Sequence, residues 1–469
     1  GTGTITLQGT DSVDVNVAVT ITGTLKTTGG RAINSASTLT FGNSGVFDMA
    51  VDGGAIPLAK WNTGSTLLLS GLVAKAPTNS NQDFYNVTVN SPGYTTAINM
   101  GWAFNTIGGT VRVINSNKIA FRFTNNSVSP NGTNNITING DVIVDDANGY
   151  ITSTGSSGGD TIVVAVKGNL SSNGVFNLAN GSAAMATWLI GGNLDIKGGT
   201  FSTHSATNLP DSIIFNGTAK QTFVKNGDIT SLANVRFGVR KGATLDLDTN
   251  NIGTSTNTGF LLEPGATVIT RHANGLKGNL RGQLGQTLST AGNYVYEGTV
   301  AQTDSLLPGT VNNLTFNNPA GFILAAPVKV NGVLTLQNGT VNNTTNAITI
   351  GTGGSVKFLG GKTTTPIPGW TGVENEAVSV PKVFALSNNY PNPFNPSTKM
   401  HFTVAGTGYA TLKVFNILGQ QVATLFNGVA EAGKYINVTF SAGQLPSGIY
   451  FAQLEQNGQR ITHRMMLMK

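Results

Sequence analysis

Asp145 and Asp146 stand side by side in VDDANG, and a pair of carboxylates is what hydrolysis of a glycosidic bond requires. The two acids of such a site must face each other across a groove. Adjacent residues of a strand point to opposite faces, so this pair reads as a solvated turn and not as an acid with its base. The four histidines, His204, His272, His401 and His463, have no second ligand at metal-binding spacing and read as surface residues. The absence of cysteine excludes thiolate sites and disulfides. VKFLGGKT ends like a phosphate loop, but Val356 stands where that loop needs its first glycine, and no strand–helix–strand pattern surrounds it. Trp61, Trp102, Trp188 and Trp370 are irregularly spaced, which favours core or cap packing over a row of sugar-stacking platforms. These residues point to no cofactor, no metal and no enzyme.

Charge narrows the partners. The net charge of +6 divides into 21 Lys/Arg against 19 Asp/Glu over residues 1–384 and 6 against 2 over residues 385–469. No basic run occurs, so a nucleic-acid surface is not expected. No apolar stretch approaches the roughly 20 residues of a membrane span, so stable membrane insertion is not expected either. The opening GTGTITLQG, without Met, is what removal of a leader leaves.

The elements that would carry any site are strands. SVDVNVAVTITGTL places Val13, Val15, Val17, Val19 and Ile21 on one face of an extended chain, a period of two. No helical pattern of similar length occurs between residues 1 and 384. A short motif, apolar–any–Gly–any–apolar, recurs as ITGTL (21–25), INGDV (138–142), VKGNL (166–170), IGGNL (190–194) and VNGVL (330–334). Gly140 to Gly168 is 28 residues and Gly168 to Gly192 is 24, a spacing that suits one coil of a β-solenoid. A longer similarity relates IIFNGTAKQT (213–222) to YVYEGTVAQT (294–303) and LANVRF (232–237) to VNNLTF (311–316), with FYNVTV (84–89) a fainter copy. It reads as duplication of multi-coil units. Asn and Gly suit the corners, and stacked Asn side chains can form ladders. Residues 1–360 are therefore expected to form a parallel β-helix, right-handed because parallel crossovers are. At about 25 residues and about 4.8 Å per coil it would be roughly 70 Å long. A tandem of β-sandwiches is the competing architecture.

The texture breaks after residue 360. Prolines, Trp370 and two of the six Glu mark residues 361–379 as a linker or cap. YPNPFNPST (390–398) packs three of the 16 prolines into nine positions, and short alternating strands such as Leu412–Val414 and Val438–Phe440 follow. Pro391, Pro393 and Pro396 cannot join a central ladder, so this segment is expected along a domain edge. Small strands between Gly and Pro turns suggest a sandwich over residues 380–469.

Residues 380–469, roughly 90 of 469, closely resemble the C-terminal sorting domain of type IX secretion, type A class. The resemblance rests on Tyr390, Pro391, Asn392, Pro393, Phe394, Asn395 and Pro396, on LKVFNILGQQV with Gly419, on SGIYF with Gly448 and Tyr450, and on the terminal Lys469. It implies an immunoglobulin-like β-sandwich, the type IX machinery as partner during export, and an extracellular or cell-surface destination. It also draws attention to Asp-Ser/Thr-apolar sites for O-glycosylation at Ser12, Thr161, Ser212 and Ser305. The repetitive body resembles, in texture, the β-solenoid regions of large surface proteins in the same bacteria.

The reading that unites these features is a secreted structural protein, a subunit of a fibre, sheath or surface layer. It would polymerise with itself head to tail, because solenoid ends recruit strands and the sorting domain is retained. In the resembling family that domain is usually removed or exchanged for an anchor. A surface adhesin for glycans or cells is the alternative. A polysaccharide-degrading β-helix enzyme ranks below both for want of an acidic cluster.

Overall fold

In a computed structural model, the chain is described over residues 3–30, 32–35, 39–124, 132–155, 161–181, 184–203, 211–226, 235–252, 259–280, 285–368, 383–432 and 434–469. It divides into two compact units, Gly1–Trp370 and Thr371–Lys469.

Every described strand pair of the first unit is parallel, and its strands stack into walls. One wall is a 16-stranded sheet running from Thr4–Leu7 to Ser355–Phe358. Sixteen strands at about 4.8 Å give the expected roughly 70 Å. An 8-stranded sheet and a 5-stranded sheet form further walls of the middle coils. The register advances 20 residues from Thr4 to Thr24, 24 from Leu170 to Leu194 and 31 from Val111 to Val142, so coil length varies at the corners while the walls hold. Inward positions stack like on like, as in Ile5–Leu25–Phe47–Leu67. The interior is a continuous apolar column in which Trp102, Trp188, Phe121, Phe123, Phe176 and Phe201 are fully buried.

The glycine motif has a steric cause. Gly140 N donates to Gly109 O (2.9 Å), Gly168 N to Gly140 O (3.0 Å) and Gly192 N to Gly168 O (2.8 Å), so the corners touch backbone to backbone. A Cβ on Gly168 would lie 2.7 Å from the carbonyl carbon of Gly140 and 2.3 Å from Asp141 Oδ1. The next residue supplies the ladder: Asp141 Oδ1 accepts from Asn169 N (2.6 Å), Asn169 Oδ1 from Asn193 N (2.8 Å), and Asn193 Oδ1 from Thr222 N (2.8 Å). Gly168→Ala should therefore destabilise the unit by about 1–3 kcal/mol, the cost of overpacking a rigid contact. Urea unfolding checks this, and an unchanged midpoint would refute the close-approach account.

Two expectations need correction. Val13–Ile21 is not one strand: Val13–Asp14 and Val19–Ile21 lie in different sheets, and Val17 at the corner between them is 70% exposed. Fourteen extended residues would span about 46 Å, too long for one wall of a coil that must close in about 20. The longer similarity is also not a duplicated multi-coil unit. Asp211–Phe215 belongs to the 8-stranded sheet, whereas its counterpart Asn293–Glu297 belongs to the 16-stranded one. What repeats is a corner. Gln221 and Gln302, each 1% exposed, reach back to the preceding coil, Gln221 Nε2 to Ile190 O (2.8 Å) and Gly192 O, Gln302 Nε2 to Thr270 O (3.3 Å) and His272 O (3.1 Å).

One strand interrupts the long wall. The last three residues of Lys220–Lys225 pair with Leu194–Ile196, and its first three with Thr244–Asp246. Coil packing continues past residue 360: Lys362–Thr363 pairs with Thr340–Asn342, and Ile367 is buried in the same core. Residues 369–379 of the expected linker lie outside the described residues.

The second unit is antiparallel. Ala385–Leu386, Ser397–Thr403 and Ile436–Ser441 form one sheet; Gln421–Ala430, Gly408–Asn416, Gly448–Gln456 and Gln459–Leu467 form the other. Both contribute to one core, including Phe402, Leu412, Val414, Phe440 and Leu454. Taken in chain order, the first, second and fifth strands make one sheet and the fourth, third, sixth and seventh the other, the immunoglobulin-like Greek-key arrangement.

Candidate functional site

The proline segment forms a clasp along one edge of the sandwich. Proline has no N–H and lacks the pattern for a ladder, so the polar atoms between the prolines make the contacts. Asn392 Oδ1 accepts from Met466 N (2.9 Å), and Asn392 Nδ2 donates to Arg464 O (3.3 Å). Phe394 N donates to Met466 O (2.9 Å) and Met468 N to Phe394 O (3.0 Å). The segment thus covers the free edge of the last strand, Gln459–Leu467, as expected from the prolines. Phe394 is the anchor, 2% exposed and packed on Phe440 at 5.7 Å between ring centres. Tyr390 is 82% exposed; Pro391, Asn392, Pro393, Asn395 and Pro396 are exposed as well. Asn389 Nδ2 and Thr398 Oγ1 both donate to Pro391 O (3.0 and 2.8 Å), closing the loop behind it.

The other motif residues hold the same body together. Tyr450, near the start of the sixth strand, donates its hydroxyl proton to Pro446 O (2.7 Å), the tyrosine corner of Greek-key sandwiches. Gly448 begins that strand. Lys469 is fixed at both ends, its backbone N–H to Ser447 Oγ (3.0 Å) and its Nζ to Gly443 O (2.8 Å). Gly419, at φ +73°, takes the left-handed turn between the third and fourth strands. Sequence reasoning missed the residue that fixes this turn. Asn416 Oδ1 accepts from Leu418 N (3.0 Å) and Gln420 N (2.9 Å), and its Nδ2 donates to Gln420 Oε1 (2.8 Å). An Asn three positions before a turn glycine is the signal that could have found it. His463 was also missed as a tie: its Nδ1 lies 2.7 Å from Asn388 Oδ1, joining the last strand to the residues before the clasp.

The candidates in the solenoid are dispersed. Asp145 is held by Arg112 through two bonds (Nε–Oδ2 2.5 Å, Nη2–Oδ1 3.1 Å), which stabilises the guanidinium charge and raises its pKa. Asp146 Oδ1 accepts from Asn148 N (2.7 Å) in a turn. The pair is not aimed across a groove. Trp102 and Trp188 are core residues donating to Ser80 O (3.0 Å) and Leu178 O (3.2 Å), and Trp61 stacks on Phe41 at 4.4 Å. Trp370 and His204 lie outside the described residues. His272 Nδ1 accepts from Asn274 N (3.0 Å), and His401 packs edge-on against Tyr435. Among the described residues no group of three or more His, Asp or Glu could hold a metal ion, and no helix is long and apolar enough to cross a membrane.

Of the four positions that match the O-glycosylation pattern, Ser12 and Ser305 are exposed, while Thr161 and Ser212 are half-buried within strands. In two of them the Asp works inside the fold. Asp211 is fully buried, and Asp304 accepts four hydrogen bonds.

Residues 388–468 match the family described as the secretion system C-terminal sorting domain. No curated protein and no solved structure matches the chain. The clasp, the tyrosine corner and six of the seven sandwich strands fall inside the matched segment, and Ala385–Leu386 precedes it. The chain is a β-solenoid protein with a C-terminal type IX sorting domain, exported through that system to the cell surface or the extracellular space.

Proposed function

We propose that the protein is a structural subunit of an extracellular fibre, sheath or surface layer, assembled head to tail, and that it is not an enzyme. The observation that carries this reading is the 16-stranded parallel wall, whose coils stack through their backbones over one continuous apolar column. A stack of parallel strands extends by adding strands at its ends. The contact joins unlike surfaces, and such contacts propagate unless the rotation closes a ring. The pairing of Asp145 with Arg112 and the turn role of Asp146 support the non-catalytic reading.

A glycan-binding surface adhesin is the second reading. It is favoured by a shallow trough of about 250 Å³ on the outer face of the long wall, lined by Asp141, Asn169, Ser171, Asn193 and Asp195. Negative-stain microscopy separates the two. The structural reading expects filaments or sheets from the full chain, and short soluble particles after deletion of Gly1–Gly9 or of the domain after Phe384. Long fibres from either truncated protein would show that another contact builds them; monomers of the full chain would move the weight to the adhesin.

A further inference from the structure

The turn locked by Asn416 displays two large apolar side chains to solvent. Ile417 is 70% exposed and Leu418 77%. The polar atoms that could let the turn adapt are consumed: Asn416 N donates to Gln420 O (3.0 Å), Gly419 N to Asn416 O (3.0 Å), and the Asn416 side chain makes the bonds given above. The fold gains nothing from this display, since neither side chain joins the sandwich core. On the adjoining outer face, Phe415 pairs with Phe451 and Ile449 with Met466; the first three are half-buried and Met466 is 36% exposed. A recess of roughly 350 Å³ lies between the turn and this strip, walled by Phe415, Ile417, Phe451 and Gln453.

Charge says what fits. Both carboxylates of residues 385–469 are engaged, Glu431 with Lys434 (2.6 Å) and Glu455 with Arg460 (3.6 Å). Lys413 is opposite Gln453, two residues along the strand from Phe415, and Arg464 is opposite Phe451. Neither has a carboxylate partner among the described residues. The rim is therefore cationic, and a second copy of the same face would be repelled. A recess with projecting edges takes an inserted side chain, whereas a bilayer surface offers nothing to fill it.

We propose that this face is where the export machinery grips the sorting domain, through a protein surface that inserts an apolar side chain between the Ile417–Leu418 turn and Phe451 and sets carboxylates against Lys413 and Arg464. The proposal rests on residues 388–468 being the export signal. The test uses the full chain expressed in a bacterium with a working type IX system, in three forms: parent, Ile417→Ser with Leu418→Ser, and Lys413→Glu with Arg464→Glu. Released and cell-retained protein are quantified, and each purified form is melted. The expected result is at least a ten-fold fall in release for both variants, with melting unchanged because Ile417, Leu418 and Arg464 are exposed and Lys413 is half-buried with no ion pair among the described residues. If the serine variant melts early, the charge-reversed variant decides alone. Release of both variants at the parental level overturns the proposal. So does loss of binding to phosphatidylglycerol vesicles in the serine variant with export intact, which would make the face a membrane contact. Retention of the parent itself would overturn the export reading on which the proposal stands.

Discussion

Asp304→Ala is expected to lower the stability of the solenoid unit by about 3–5 kcal/mol, the order expected when several buried donors lose the one acceptor they share. Asp304 is 3% exposed and gathers four donors. Its Oδ2 accepts from Leu276 N (2.7 Å) and the Tyr296 hydroxyl (2.8 Å), and its Oδ1 from Leu306 N (2.8 Å) and Lys277 N (3.3 Å). Two of these N–H groups belong to the five-residue helix Gly275–Asn279, the only helix among the described residues, whose own N-cap residue makes no side-chain bond. The carboxylate from the next coil does the capping instead. Burial pushes its pKa up while the four donors pull it back. Alanine would leave a buried tyrosine hydroxyl and three amides without acceptors, at about 1–3 kcal/mol for each that water cannot reach. Asp304→Asn should be intermediate, because one oxygen remains to accept. Urea unfolding gives the difference, and hydrogen exchange at Leu276, Lys277 and Leu306 should accelerate. A loss below about 1 kcal/mol would mean that water replaces the carboxylate.

Asp211→Asn is expected to act in the opposite direction, and only above acidic pH. Asp211 is 0% exposed and accepts from Ala186 N (2.7 Å). Burial pushes its pKa from 3.8 up to about 7, against the smaller opposing pull of that amide. Below about pH 4 the carboxyl is protonated in both folded and unfolded chains and contributes nothing. Between about 4 and 7 the unfolded chain releases the proton while the folded chain keeps it, so stability falls as pH rises. Above about 7 the loss is complete, at up to about 4 kcal/mol for the full difference in pKa. The asparagine variant, which has nothing to ionise, should match the parent at pH 4 and exceed it by up to that amount at pH 8. Unfolding curves for both proteins at several pH values isolate the effect, since every other group is shared. A difference that stays constant from pH 4 to 8 would show that Asp211 is ionised in the folded state throughout.

The legible parts of the sequence were those where one residue type has a single physical use. A glycine at Gly140, Gly168 and Gly192 marks a corner where coils touch through their backbones, and no other residue fits there. Three prolines in nine positions exclude a central strand and imply an edge, which is where Asn392 and Phe394 bind. Residues with two uses were not legible. Val17 continues the alternation of its neighbours yet turns outward at a corner, because alternation does not state where a wall ends. Gln221 and Gln302 announce a repeated corner but not which wall it joins. Asp211 and Asp304 look like ordinary polar residues before a strand or turn, and only three-dimensional neighbours make one a fully buried acid and the other a cap. Asn416 is one of many asparagines in a chain full of them, so its command of the export domain's turn was hidden by abundance.

The strand Lys220–Lys225 gives the solenoid a mechanical joint. Above and below it the long wall is offset by three residues, so tension along the stack cannot pass straight through that sheet. Among the described residues the last strand of the 5-stranded wall is Thr200–Ser202. Across this level the load falls on the 8-stranded wall, where Asp211–Phe215 is zipped residue for residue to Val235–Val239. Asp211 sits at the first rung of that zip, so a proton there would set how firmly the two halves of the stack are held in series. A material built from such subunits would stretch or break first at a fixed interior level of every subunit, and more readily in alkaline surroundings than in acidic ones.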